Sequence, residues 1–321
     1  MKRLILLLAA LGLLAAGAAY GLLWASGGPA GEEKAIVIEE GSSLGRVAEE
    51  LEAEGLIPGN ATTFKAMARL FGSSDPVQAG EFRIPAGMSA AGILDHLQHG
   101  RPVQRFVTIP EGTPSVLVRD KLMAIPHLTG AIDVPEEGSV LPDTYSYRRG
   151  DRRQAVLERM QEAMDEALAE LWPARKPHSA VKTPREAVIL ASIVEKETAR
   201  PSERRMVAGV YTNRLKQGMK LDADPTVIYP VTRGRPLGRR IRRSELDDVN
   251  AYNTYAMTGL PRGPIANPGR ESIAAVLDPA ATEALYFVAD GTGGHVFAET
   301  LAEHNANVAR WYEIRRRRGE M

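Results

Sequence analysis

The hydrophobic pattern begins with an uncharged apolar run from Leu4 to about Ser26. At ~1.5 Å per residue, a helix of ~20 such residues spans a hydrocarbon core of ~30 Å. Lys2 and Arg3 precede the run, and the next basic residue is Lys34, behind Glu32 and Glu33. The positive-inside bias then places the tip, residues 1–3, in the cytoplasm and the bulk of the chain outside. Trp24 is expected at the far interface. The run exceeds the ~7–15-residue core of a cleaved leader, so residues 4–26 read as a retained transmembrane anchor. Small residues between Ala15 and Ala19 are the one feature that suits cleavage. Residues 27–33 then form a short glycine-rich linker.

Beyond the linker one pattern recurs three times. AIVIEEGSS (35–43), EFRIPAGMS (81–89) and FVTIPEGT (106–113) each alternate as a strand, turn at a glycine and offer Ser or Thr before a helical stripe. Glycine tolerates positive φ, and Ser or Thr caps a helix start. The spacing is irregular, so no solenoid follows. Residues 34–86 read strand, helix, helix, strand, with Phe64, Met67, Ala68 and Leu70 on the second helix. This order resembles the LysM module, a βααβ fold that implies affinity for N-acetylglucosamine polymers. A spacer module is the plain alternative.

Residues 87–150 form a connecting β/α region, with a turn at PDTYSY (142–147). Residues 151–172 carry an amphipathic stripe through Val156, Met160, Met164 and Ala167. The next helix starts strongly: Thr183 caps, Pro184 suits the first turn, and Glu186 completes a capping box. It is apolar on nearly all sides from Ala187 to Val194 and reads as a core helix. Proline at 201 stops it. Ser202 is expected to cap a second helix with Met206, Val207, Val210, Tyr211 and Leu215 on one face and Gly218 as its stop. LDADPTVIY (221–229) reads as a turn-bounded strand. Residues 233–243 are a basic insertion that suits either solvent or anionic groups. A long loop follows over 250–269, and loops of that length without function are uncommon. A hairpin over 285–297 and a helix capped by Thr300 and Glu303 close the chain.

Composition narrows the chemistry. Lys plus Arg and Asp plus Glu number 40 each, which does not favour nucleic acid as a partner. The chain has no cysteine, which excludes disulfides, thiolate metal sites and thiol catalysis. His295, Glu299, Glu303 and His304 match no metal-ligand spacing, so no metal and no cofactor are expected. Phosphate loops, dinucleotide fingerprints and serine elbows are absent from the sequence. Attention falls on Glu195 and Glu197, at the end of the core helix. Residues two apart on a helix point about 200° apart, so the two cannot flank one bond as a retaining hydrolase's pair must. Both sit where the helix dipole disfavours an anion, and burial pushes the same way. A raised carboxyl pKa suits a general acid. Position alone does not choose between them.

Six motifs in order then carry a resemblance: ASIVEKET (191–198), the NRL helix (213–215), LDADPTVIY (221–229), AYNTY (251–255), GLPRGPIANPG (259–269) and YFVADGTGGHVF (286–297), with PDTY (142–145). The chain resembles the endolytic murein transglycosylases, the YceG-like family, over nearly its whole length. The resemblance implies an α+β fold: an N-terminal transmembrane helix, a small βααβ LysM-like subdomain, and a mixed α/β catalytic domain over 151–321. It implies cleavage within peptidoglycan glycan strands to 1,6-anhydro-N-acetylmuramic acid ends. The second Glu of EKET, Glu197, becomes the catalytic acid/base. Asp224, Thr226, Tyr229, Tyr252, Asn253 and Tyr255 become candidates to hold sugar and stabilise developing positive charge. Glu195, Thr198 and Asn267 are further candidates for substrate contact. Glu195 is expected to pair with Arg200, Arg204 or Arg214. Penicillin-binding synthases are implied partners, and the cytoplasmic membrane the location, with the catalytic domain on its outer, periplasmic side. A non-catalytic glycan-binding scaffold and a water-using hydrolase with Asp224 as second carboxylate stand as alternatives. The arginine-rich stretch at 233–243 departs from the family pattern.

Overall fold

The structure is a computed structural model that describes residues 2–320; the side chains of residues 2–7, 9, 13, 14 and 16 also fall outside the description. The chain divides into two compact units. One runs to Arg105 and includes Ser146–Asp151; the other comprises Phe106–Tyr145 and the chain from Arg152 onward.

The first unit begins with α1 (Lys2–Ala25). Among the described residues no helix is long and apolar enough to cross a membrane. The expected anchor is therefore not supported by the structure, and much of its leucine-rich first half, with Met1, lies outside the described residues. Trp24 departs from its expected interfacial position. It is 7% exposed and packs on Phe64, ring centroids 5.5 Å apart, because an apolar pocket between helices is open to it. The glycine linker is also docked: Gly28 N–H donates to Gly87 O at 3.1 Å and Gly87 N–H to Ala30 O at 2.9 Å.

The expected βααβ order follows: β1 (Lys34–Ile38), α2 (Leu44–Ala53), α3 (Ala61–Phe71) and β2 (Gly80–Ile84). The strands pair antiparallel from Lys34↔Ile84 to Ile38↔Gly80. Val47, Leu51, Leu56, Phe64 and Phe82 fill the core beneath them. Helix α4 (Ala90–His99) completes this unit. The recurring turn signal works as its chemistry dictates at two positions. Gly41 and Gly87 hold φ of +77° and +69°. Ser43 and Ser89 then cap α2 and α4 by accepting from Arg46 N–H at 3.3 Å and Gly92 N–H at 3.1 Å. At the third, Thr113 turns back to Pro110 O at 2.6 Å and gives no cap.

In the second unit, strands β3 (Arg105–Thr108) and β4 (Thr144–Tyr147) lie on either side of α5 (Ser115–Met123) in the chain. Ile109 N–H donates to Asp143 O at 2.8 Å beside their junction. Next come α6 (Arg153–Leu171) and the central α7 (Pro184–Glu197). Every residue of α7 from Ala187 to Val194 is buried, and the helix packs on α8 (Arg204–Lys216) and α11. Thr183 caps α7 as expected, accepting from Glu186 N–H at 3.1 Å. Ser202 does not cap α8. A 3-10 turn over Pro201–Glu203 intervenes, and Glu203 occupies the cap position with its carboxylate committed elsewhere.

The expected strand at 221–229 is instead helix α9 (Asp224–Thr232). Val227 and Ile228 carry a strand signal, but Asp224 and Pro225 form a favourable first turn. Asp222 breaks the preceding chain with φ +51°, and Thr254 Oγ1 takes the Ala223 N–H at 3.0 Å. The basic stretch is half neutralised locally: Arg235 pairs with Asp120 at 2.6 Å, Arg239 with Glu245, and Arg243 with Asp247 at 3.0 Å. The short α10 (Arg243–Leu246) precedes the long loop, and α11 (Arg270–Leu277) follows it. The hairpin forms as expected, β5 (Tyr286–Ala289) against β6 (His295–Ala298), with Tyr286 opposite Ala298. Thr300 and Glu303 cap α12 (Leu301–Arg317) reciprocally. The fold is thus α+β, with helices around small two-stranded sheets.

Candidate active site

The site gathers around the C-terminus of α7. Its two glutamates diverge, as 3.6 residues per turn requires. Glu195 is structural. Its side chain is 5% exposed and accepts from Arg204 Nη2 at 3.3 Å and from Gly269 N–H at 2.9 Å. The same Arg204 nitrogen reaches Glu111 Oε2 at 2.6 Å. Arg204 is thus the expected partner, while Arg200 and Arg214 are employed elsewhere. Gly269 is required here: a Cβ would lie 2.1 Å from Glu111 Oε1. The 110–113 turn is stitched in through Gly112 N–H to Asn267 O at 2.9 Å and Asn267 N–H to Thr113 O at 3.2 Å.

Glu197 is different. Its Oε1 is buried with no hydrogen-bond partner, although the residue as a whole is partly exposed through its stem. Burial pushes its carboxyl up to about 7, and the charge of Asp224 adds to the shift. A hydrogen bond from the Tyr211 hydroxyl and the Arg214 charge oppose it. An isolated carboxylate in such surroundings is costly unless protonated. Near neutral pH the group is poised to give up or accept a proton.

Asp224 stands exposed at the first turn of α9 and accepts from the Tyr255 hydroxyl at 2.7 Å. Burial first, then this bond to Asp224, holds the Tyr255 hydroxyl well above its ordinary range. Arg214 is fixed by Leu285 O at 2.7 Å and Asp222 Oδ2 at 3.0 Å, and lies over the Tyr286 ring. Glu197, Asp224, Tyr255 and Arg214 therefore form one electrostatic neighbourhood.

The remaining candidates are occupied as supports. Thr226 and Asn253 have no exposed surface: Thr226 Oγ1 bonds Ala223 O at 2.7 Å and Thr254 Oγ1 at 2.8 Å. The Asn253 amide donates to the carbonyls of Glu245, Leu246 and Asp248, and its oxygen takes Tyr255 N–H at 2.9 Å. Asn267, also fully buried, donates to Thr113 O at 2.8 Å and accepts from Val140 N–H at 3.0 Å. Thr198 donates to Glu203 Oε2 at 3.2 Å. The Tyr229 hydroxyl donates to Glu137 Oε2 at 3.1 Å, and its ring meets Tyr252, centroids 5.0 Å apart. Tyr252 is half-buried, with Arg262 over its ring. These residues shape the walls around Glu197 instead of presenting free groups to a ligand.

Sequence reasoning passed over four members. Tyr211 was placed on a core face, and its single hydroxyl in an aliphatic stripe was the available signal. Glu111 lay hidden in a repeated turn motif. Glu203 ties Thr198 to His295, whose Nδ1 lies 2.8 Å from its Oε2, so the weighed metal ligand His295 is spent on this pair. Glu303 caps α12, and His304 stacks on Tyr286. Glu137, held up by burial, accepts from Ser115 N–H at 2.8 Å and from Tyr229. No local pattern marked it.

Such an arrangement, one enclosed carboxyl at a helix end beside a second, exposed carboxylate, defines a class of acid/base site. The YceG-like family model matches residues 36–310, and the chain belongs to that family. A Bacillus subtilis protein named endolytic murein transglycosylase is 29% identical over 302 residues, covering 84% of this chain and 82% of its own length. A Streptococcus pneumoniae protein of the same name is 28% identical over 323 residues, covering 85% of this chain. The chain spans only 57% of that pneumococcal relative. A crystal structure of a YceG-like protein from Listeria monocytogenes aligns over 86% of this chain and 98% of its own, with TM-score 0.54 and 27% identity.

Proposed function

We propose that this protein is an endolytic lytic transglycosylase of peptidoglycan, with Glu197 as its single general acid/base. It cleaves the β-1,4 bond between N-acetylmuramic acid and N-acetylglucosamine inside a glycan strand. The observation that carries this reading is the buried, unpartnered Oε1 of Glu197 on a carboxyl raised to about 7. The names of the relatives supply the substrate class.

The chemistry needs one proton carrier. Protonated Glu197 gives its proton to the glycosidic oxygen as the bond to C1 breaks. The muramic acid C6 oxygen then bonds C1, and its proton passes to the Glu197 carboxylate. The acid is regenerated, no water is consumed, and the product carries a 1,6-anhydro ring. The intramolecular nucleophile supplies much of the rate through positioning. Asp224, steadied by Tyr255, lies where positive charge develops at C1 and stabilises it.

The substrate lies outside the cytoplasmic membrane, so the catalytic unit works there. The apolar run behind Lys2 and Arg3 tethers it, and the βααβ unit serves as a LysM-like glycan contact. That unit has a cavity of about 540 Å³ lined in part by Ser42, Leu44, Arg69 and Gln98. Cleavage of nascent strands beside penicillin-binding synthases limits their length.

Glu197→Gln tests the core of the reading. The variant keeps its fold by circular dichroism and releases no anhydro-muropeptides from purified sacculi. Anhydro ends formed at the wild-type rate would refute the assignment. Mass spectrometry separates the rival in which Asp224 activates water, because that product gains one water and the anhydro product does not.

A further inference from the structure

We propose that Tyr211 is a positioning residue that divides labour between the two oxygens of Glu197, dedicating Oε1 to proton transfer. The inference rests on the reading of Glu197 as the acid/base. Tyr211 lies on the third turn of α8, 1% exposed, and its hydroxyl hydrogen-bonds the Glu197 carboxyl. Oε1 has no partner, so the bond falls on the other oxygen. Burial foremost, with the Glu197 charge next, holds the Tyr211 hydroxyl well above its ordinary value. It remains protonated and acts as donor. An oxygen already accepting that bond is the poorer site for the acid proton, which therefore resides on Oε1. The step balances on one atom. Oε1–H gives its proton to the leaving oxygen, and Oε1 takes one back from the C6 hydroxyl.

The hairpin gives Tyr211 its rigidity and accounts for a motif that the cleavage chemistry leaves unused. Phe287 of β5 meets the Tyr211 ring edge-on, centroids 5.8 Å apart at 83°. Phe287 also packs on His295, which grips Glu203, and Glu203 bonds Thr198 beside Glu197. The β5–β6 hairpin therefore braces the acid from both sides. The groups facing Glu197 are Tyr211 and Arg214 from α8, Asp224 from α9, and Tyr255 from the long loop.

The test compares wild type, Y211F, F287L and E197Q as full-length protein, following anhydro-muropeptide release from sacculi between pH 5 and 9. Loss of one hydrogen bond to an ionisable carboxyl lowers kcat of Y211F roughly ten- to a hundred-fold, with KM little changed. The donor stabilises the carboxylate, so its removal also moves the alkaline limb of the kcat profile to higher pH. A merely structural role would lower kcat without moving that limb. F287L leaves the hydroxyl in place but loosens it, and shows a smaller shift in the same direction. It also carries the test if Y211F does not fold. Overlapping pH profiles for wild type and the folded variants overturn the proposal. If E197Q is inactive in that case, the acid/base reading survives; if E197Q is active, that reading fails as well.

Discussion

Replacing Arg204 by Met isolates what holds the catalytic helix end in place. Methionine preserves most of the aliphatic stem, so the change is chiefly the loss of the guanidinium. Glu195, with 5% of its side chain exposed, then keeps one donor, the Gly269 N–H at 2.9 Å. Breaking a buried pair by removing one partner costs about 3–5 kcal/mol, because the remaining charge is uncompensated. The bond to Glu111 adds little, since that carboxylate is 43% exposed. For a unit of this size each kcal/mol moves the melting temperature by about 2–4 °C, so R204M melts roughly 6–20 °C below wild type. Thermal unfolding by circular dichroism at pH 7 measures it. The double variant R204M/E195Q regains much of the loss, because glutamine still accepts from Gly269 without a charge to strand. An R204M melting point within about 2 °C of wild type, or a double variant no better than R204M, would show that Glu195 does not depend on this arginine.

The raised pKa of Glu197 predicts a specific pH dependence. Its folded value of about 7 exceeds the ordinary 4.5. The folded state therefore holds the proton more tightly, and burying this group costs stability once it ionises. That cost is absent below about pH 4.5, grows between there and 7, and reaches about 3 kcal/mol above 7. Glu197→Gln is accordingly more stable than wild type at pH 8 and matches it at pH 4, as urea titrations at both pH values check. Wild-type kcat falls as pH rises through about 7, because the acid form is lost. Asn253→Ala strands the carbonyls of Glu245, Leu246 and Asp248 and frees Tyr255. It costs about 2–4 kcal/mol, visible as an earlier urea midpoint, and lowers kcat more than KM.

Legibility in the sequence tracked how local each signal was. The βααβ order, the Thr183 and Thr300 caps and the hairpin all rest on residues a few positions apart, and all are present. The separation of Glu195 from Glu197 also came from helix geometry alone. The α9 segment misled because two β-branched residues outweighed the aspartate–proline start, while the deciding bond came from Thr254, 31 positions away. Thr226, Asn253 and Asn267 looked like sugar contacts because polar side chains in a long loop suggest exposure. Burial cannot be read from residue type, and the structure encloses all three. Trp24 failed in the same way, since its pocket is built by α3. Tyr211 and Glu137 act through partners that only the fold supplies.

One property of the site concerns timing. Arg204 reaches back 93 positions to Glu111, Gly269 reaches 74 to Glu195, and His295 reaches 92 to Glu203. A chain emerging N-terminus first exposes EKET long before its closing partners exist. Until the hairpin arrives, Glu197 faces solvent, has an ordinary carboxyl acidity and lacks the brace on Tyr211. Unfinished or C-terminally clipped chains are therefore inert, and the enzyme gains its cutting power only when synthesis is nearly complete. For a protein that severs the polymer around its own cell, the long sequence separation acts as a safety catch.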